Sequence, residues 1–119
     1  MKKLLFTLFL TGILVACAGV AGSQMSVSEQ VIKINAHRFE FVPNVIMLKK
    51  GVPVILEFTS SDMIMGFNVP DLKTRVTIIP GKVTRIRIVP DKIGMFTFLC
   101  DIFCGSGHEE MSGIINVVA

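Results

Sequence analysis

The chain has 119 residues, 51% hydrophobic and 18% charged, with a formal net charge of +3. That length predicts one domain. Two of the positive charges, Lys2 and Lys3, sit ahead of a leader-like segment; without them 12 − 2 = 10 basic residues face 9 acidic ones, and a balance of +1 argues against a nucleic-acid partner.

At the start, Met1-Lys2-Lys3 is followed by an uncharged apolar run over residues 4–16. The run is shorter than the roughly 20 residues a spanning helix needs and has the form of a secretory leader. It ends Leu14-Val15-Ala16-Cys17, which resembles a bacterial lipobox, in which the cysteine is lipidated and becomes the new N-terminus. Ala16-Cys17-Ala18 also has the small-residue form of ordinary leader cleavage. The expectation is a lipoprotein leader over residues 1–16, lipidation at Cys17, a small and polar tether over residues 17–29, and a folded domain over residues 30–119. No second apolar run of membrane length follows, so the membrane is met through the lipid anchor alone, in a periplasmic or other extracytoplasmic setting.

From Gln30 onward the pattern is that of strands. Ile32, Ile34 and Ala36 alternate with Lys33, Asn35 and His37, and Phe39 and Phe41 flank Glu40. Val54, Leu56 and Phe58 alternate with Ile55, Glu57 and Thr59; Thr84, Ile86 and Ile88 alternate with Arg85 and Arg87; Phe96, Phe98 and Cys100 share a face, and residues 112–118 form a closing strand. A period of two marks strands with one buried face. Turn signals separate them at Pro43-Asn44, Lys50-Gly51, Pro70-Asp71, Pro80-Gly81, Pro90-Asp91 and Ile93-Gly94. No segment has a helical period. The predicted fold class is all-β, a Greek-key β-sandwich. With no Trp or Tyr, Phe carries all the aromatic packing.

The densest chemistry lies in Cys100-Asp101-Ile102-Phe103-Cys104-Gly105-Ser106-Gly107-His108-Glu109-Glu110-Met111, a C-x3-C-x3-H-x2-M spacing. Soft sulfur with one imidazole nitrogen selects copper over calcium or magnesium, and a thioether is a poor zinc ligand. The competing reading of Cys100 and Cys104, in an exported protein, is a structural disulfide. Met111 alone reads as core packing and His108 alone as a surface residue; their common segment joins them to the cysteines. Gly105 and Gly107 let the backbone turn so that His108 and Met111 face the metal. His37 reads as a strand-surface histidine. Met47 and Met63 read as core or surface residues, Glu109 and Glu110 as a solvated pair bordering the loop, and Lys49 and Lys50 as turn charges.

The loop, together with Phe39-Glu40-Phe41-Val42-Pro43-Asn44, Lys49-Lys50-Gly51, Thr59-Ser60-Ser61-Asp62, Gly66-Phe67-Asn68-Val69-Pro70 and Pro80-Gly81-Lys82-Val83-Thr84, resembles the cupredoxin domain of subunit II of haem-copper oxidases. That domain holds the binuclear CuA centre, and the resemblance covers nearly the whole folded part. It implies that Cys100 and Cys104 supply bridging thiolates to two coppers. His108 would bind one copper through a ring nitrogen, with the Ile102 carbonyl as a weak ligand to the same ion, and Met111 would be the weak ligand to the other. The family's second histidine falls where this chain has Met65, so Met65 is either a ligand or a filler of that place. Sulfur in place of nitrogen favours Cu(I), which leaves one copper or two open. The oxidase subunit also carries a transmembrane hairpin and tryptophans that this sequence lacks, so the expectation is a free-standing exported relative, a monomer that is not an enzyme on its own. It would be an electron carrier working with a redox partner, or alternatively a Cu(I) carrier working with a copper-transfer partner.

Overall fold

A computed structural model describes Gly12 and residues 29–119. The expected leader, the Cys17 lipidation site and nearly all of the tether lie outside the described residues. Among the described residues nine strands follow in order: β1 (Gln30–His37), β2 (Glu40–Val42), β3 (Val45–Lys49), β4 (Val54–Ser60), β5 (Met65–Val69), β6 (Thr74–Ile78), β7 (Thr84–Ile88), β8 (Gly94–Leu99) and β9 (Ser112–Val118). They form a four-stranded sheet ordered β2-β1-β4-β7 and a five-stranded sheet ordered β3-β9-β8-β5-β6. The β1/β4 and β3/β9 pairs are parallel and the others antiparallel. Parallel neighbours need a crossover. Here the chain supplies it by leaving the first sheet for β3 and returning for β4, the Greek-key sandwich expected from the alternation. Single 3-10 turns occur at Pro70–Leu72 and His108–Glu110. Among the described residues no helix is long and apolar enough to cross a membrane.

The alternation predicted for β4 is complete: Val54, Leu56, Phe58 and Ser60 point inward. Between the sheets, four fully buried rings meet. Phe41 of β2 and Phe58 of β4 come from one sheet, and Phe67 of β5 and Phe98 of β8 from the other. Phe67 touches all three others, with ring centroids 4.7 Å from Phe58, 4.8 Å from Phe98 and 5.8 Å from Phe41. Such tilted and edge-on pairs add about 0.5–1.5 kcal/mol each beyond the area they bury, so this cluster is the main clamp between the layers.

Strands β8 and β9 are antiparallel neighbours, with Leu99 opposite Ser112. Residues 100–111 are therefore the loop that joins them, closed at its base where the Cys100 N–H donates to the Met111 carbonyl at 3.1 Å. On the other side of β8, Asn68 of β5 lies opposite Leu99. One step on in that register Phe67 is level with Cys100, and Gly66 packs against the Asp101 side chain. The start of β5 thus borders the loop.

Candidate metal centre

The loop draws its donors inward. Cys100 and Cys104 are buried free thiols, and His108 is half-buried. One ligand atom from each of these three lies within 4.8 Å of the others. The Cys100 Sγ is 3.2 Å from the Ile102 carbonyl oxygen, Cys104 Sγ is 3.6 Å from His108 Nδ1, and Cys104 Sγ is 3.9 Å from Met111 Sδ. Met111 is 1% exposed. The two thiols, the imidazole, the thioether and the carbonyl expected to act together are neighbours, and Cys100 and Cys104 are not joined to each other.

Local folding explains the convergence. The His108–Glu110 turn, closed by His108 N–H to Gly105 O at 3.2 Å and Met111 N–H to His108 O at 3.2 Å, reverses the chain so that His108 and Met111 both face Cys104. Gly105 has φ +132°, a conformation other residues rarely adopt. Gly107 lies flat on the Phe39 ring, and a Cβ there would strike it. Above the site Phe103, 75% exposed, tilts against the His108 ring at 5.6 Å.

Met65 is fully buried on the inward face of β5, where it pairs with Ile78 of β6. His37 stands apart from the donor group in its bonding: Nδ1 is 3.1 Å from Asn35 Oδ1 and Nε2 is 3.3 Å from Glu40 Oε2. Both ring nitrogens are thus engaged within its own hairpin. Met63 accepts a hydrogen bond from Arg38 Nε at 3.3 Å, and Asp62 holds the Arg38 and Met63 backbone N–H groups. Met47 is an exposed residue of β3.

Residues 9–115 match the Cupredoxin-like domain family. The chain belongs to the cupredoxins. Over 94 residues it is 31% identical to cytochrome c oxidase subunit 2 of Thermus thermophilus, covering 79% of this chain and 70% of that one. A second subunit 2 sequence from the same species is also 31% identical, but this chain spans only 56% of it. Among solved structures, a chain of a heme-copper terminal oxidase dimer superposes with a TM-score of 0.69 at 28% identity, over 79% of this chain and 68% of that one. The metal-binding domain of the Cu(I)-exporting P-type ATPase CopA of Streptococcus pneumoniae D39, solved with Cu(I), superposes with a TM-score of 0.59 at 25% identity, over 75% and 85%.

The electrostatics of this cupredoxin favour a cation at the loop. Burial pushes the Cys104 thiol above its usual pKa; the neighbouring Cys100 raises it further and Arg38 partly opposes the shift. Two adjacent buried thiols resist becoming two thiolates unless a positive ion compensates them. Thiolate, imidazole and thioether donors are the set that suits copper, and the site's chemistry fits that ion.

Sequence reasoning missed an ion pair beside the loop. Arg75 of β6 grips Asp101 through two nitrogens, Nε to Oδ2 and Nη2 to Oδ1, the latter at 2.8 Å. Arg75 Nη1 donates to Thr77 Oγ1 at 2.8 Å. Asp101 is the only charge between the two cysteines, which was a local signal; Arg75, 26 residues away, offered none.

Proposed function

We propose that this cupredoxin is an exported copper protein that relays single electrons through a CuA-like centre. Cys100, Cys104 and His108 would hold the metal, with Met111 and the Ile102 carbonyl as weaker donors and Met65 beside them in the place of the family's second histidine. The observation that carries the reading is the convergence of two free thiols and an imidazole within 4.8 Å on a loop closed at its base. Copper bound there supplies one-electron chemistry. The chain's part is to keep the donors still: burial of Cys100, Cys104 and Met111 excludes water, and the Phe39 ring under Gly105 and Gly107 limits loop movement. Ligands that need not move between redox states favour quick transfer, and the half-buried His108 edge, beside the exposed Phe103, is the natural exit towards a redox partner. The leader and Cys17 would place the domain outside the cytoplasm on a lipid anchor, as a monomer.

A second reading has its own support. Met65 replaces nitrogen by sulfur, which favours Cu(I), and the domain also superposes on the Cu(I)-bound CopA domain. On that reading the protein buffers Cu(I) and hands it to a copper-transfer partner.

Copper reconstitution of the purified, reduced protein distinguishes these. Two coppers with a delocalised mixed-valence EPR signal support electron relay. A colourless Cu(I) form that resists oxidation and yields its metal to an acceptor supports delivery. A protein that takes up no copper and closes a Cys100–Cys104 disulfide defeats both.

A further inference from the structure

We infer that Arg75 and Asp101 form a neutral brace that positions the Cys100–Ile102 segment and balances the charge felt at the donor group. The inference rests on the copper reading above and deepens it. Asp101 stands between a thiol donor and the carbonyl donor, so fixing its side chain fixes the peptide planes on either side. The fixing is two-pronged: a planar guanidinium meets both carboxylate oxygens, a geometry that sets orientation as well as attraction. Thr77, two residues along β6 on the same face, holds the third guanidinium nitrogen, so the fork itself is tethered to the sheet.

The frame has been cleared for this pair. Gly66 faces outward from β5 yet is buried, because the pair lies across it. A Cβ at Gly66 would run into the Asp101 carboxylate and come within 3.1 Å of Arg75 Nη2. Strand β5, strand β6 and the metal loop therefore meet at one ion pair. Asp101 is the residue between Cys100 and Ile102, so its carboxylate and the guanidinium that grips it lie beside the donor group.

A brace that also balances charge makes a signed prediction. Asp101→Asn leaves an uncompensated guanidinium beside the centre. This favours the less positive, reduced metal, and the reduction potential rises. Arg75→Gln leaves an uncompensated carboxylate, and the potential falls. The double variant restores neutrality and brings the potential back towards wild type, while its copper leaves faster to a chelator because the fork is gone. Arg75→Lys keeps the charge without the fork; its potential stays near wild type and its copper loss is faster.

The experiment is voltammetry of the copper-loaded full chain and its four variants, with visible spectra and rates of copper loss to a Cu(I) chelator. Opposite shifts for the two single variants, cancelling in the double, are the expected result. Shifts of the same sign, or none, overturn the inference while leaving the copper reading intact. If a single variant does not fold, Arg75→Lys decides: copper loss at the wild-type rate overturns the brace. A wild-type protein that takes up no copper removes the reading beneath it.

Discussion

Replacing Phe67 by alanine tests whether the site and the core are one structure. Phe67 is fully buried, contacts the rings of Phe41, Phe58 and Phe98, and lies level with Cys100 in the β5/β8 register. Phe→Ala in a close-packed core costs about 3–5 kcal/mol, and three ring contacts put this position at the upper part of that range. A domain of about 90 residues has a total stability of about 5–13 kcal/mol, so the variant should keep at most about two thirds of it and, at the lower end, be close to unfolded at 25 °C. Phe103→Ala is the control, since the same side chain is removed from a site 75% exposed; there the change should stay within about 0.5 kcal/mol. Urea unfolding of the metal-free, reduced protein, followed by far-UV circular dichroism because the chain has no Trp or Tyr, gives both numbers. Copper added to Phe67→Ala should raise its midpoint by mass action, recovering part of the loss. A Phe67→Ala cost below about 1.5 kcal/mol, or a Phe103→Ala cost that matches it, would refute the view that the four-ring cluster clamps the sheets under the loop.

Four further outcomes follow from the site. Met65→His should move the visible and EPR spectra of the copper-loaded protein towards a fuller CuA character; an unchanged spectrum removes Met65 from the metal's surroundings. Because folding raises the Cys104 pKa, the neutral thiol is the form the fold favours. The associated stability is complete below the unfolded thiol's pKa and disappears as pH rises through the higher folded value, so the metal-free protein should lose stability in the alkaline range, and Cys104→Ala should flatten that slope. The same thiols must lose protons to bind metal, so copper uptake should release protons and tighten with rising pH, measurable by calorimetry in buffers of different ionisation enthalpy. Gly107→Ala should push the loop off Phe39 and speed copper loss several-fold while leaving the unfolding free energy from urea titration within about 1 kcal/mol of wild type.

What could be read from the chain beforehand follows from how each element is buried. β1, β4 and β7 were legible because inward apolar residues alternate with mostly polar outward ones, and β8 because Phe96, Phe98 and Cys100 share a face around Thr97. β5 was not, because Met65, Gly66 and Phe67 are all buried: the Arg75–Asp101 pair covers the outward face and erases the alternation. β3 hid for the opposite reason, since its exposed face carries Val45 and Met47 where polar residues would have marked solvent. β6 does alternate, with Val76 and Ile78 inward, but it is short. At the site, the donors of residues 100–111 were legible because their spacing is local. Met65 lies on a separate strand, so no local spacing ties it to them. The support from Phe39 and Arg75 depends on contacts between distant segments, and no local pattern encodes those.

The hydrogen bond from Cys100 to Met111 joins the first and last donor residues, so the donor segment is a twelve-residue ring closed at the end of the inner β8/β9 pair. Such a ring looks transplantable: cut between Leu99 and Ser112, it would take every strong donor with it. Its stiffness would stay behind, because Gly66 and Arg75 belong to β5 and β6, and Phe39 to the turn before β2. Moving the function to another sandwich therefore means moving three distant framework positions along with the ring.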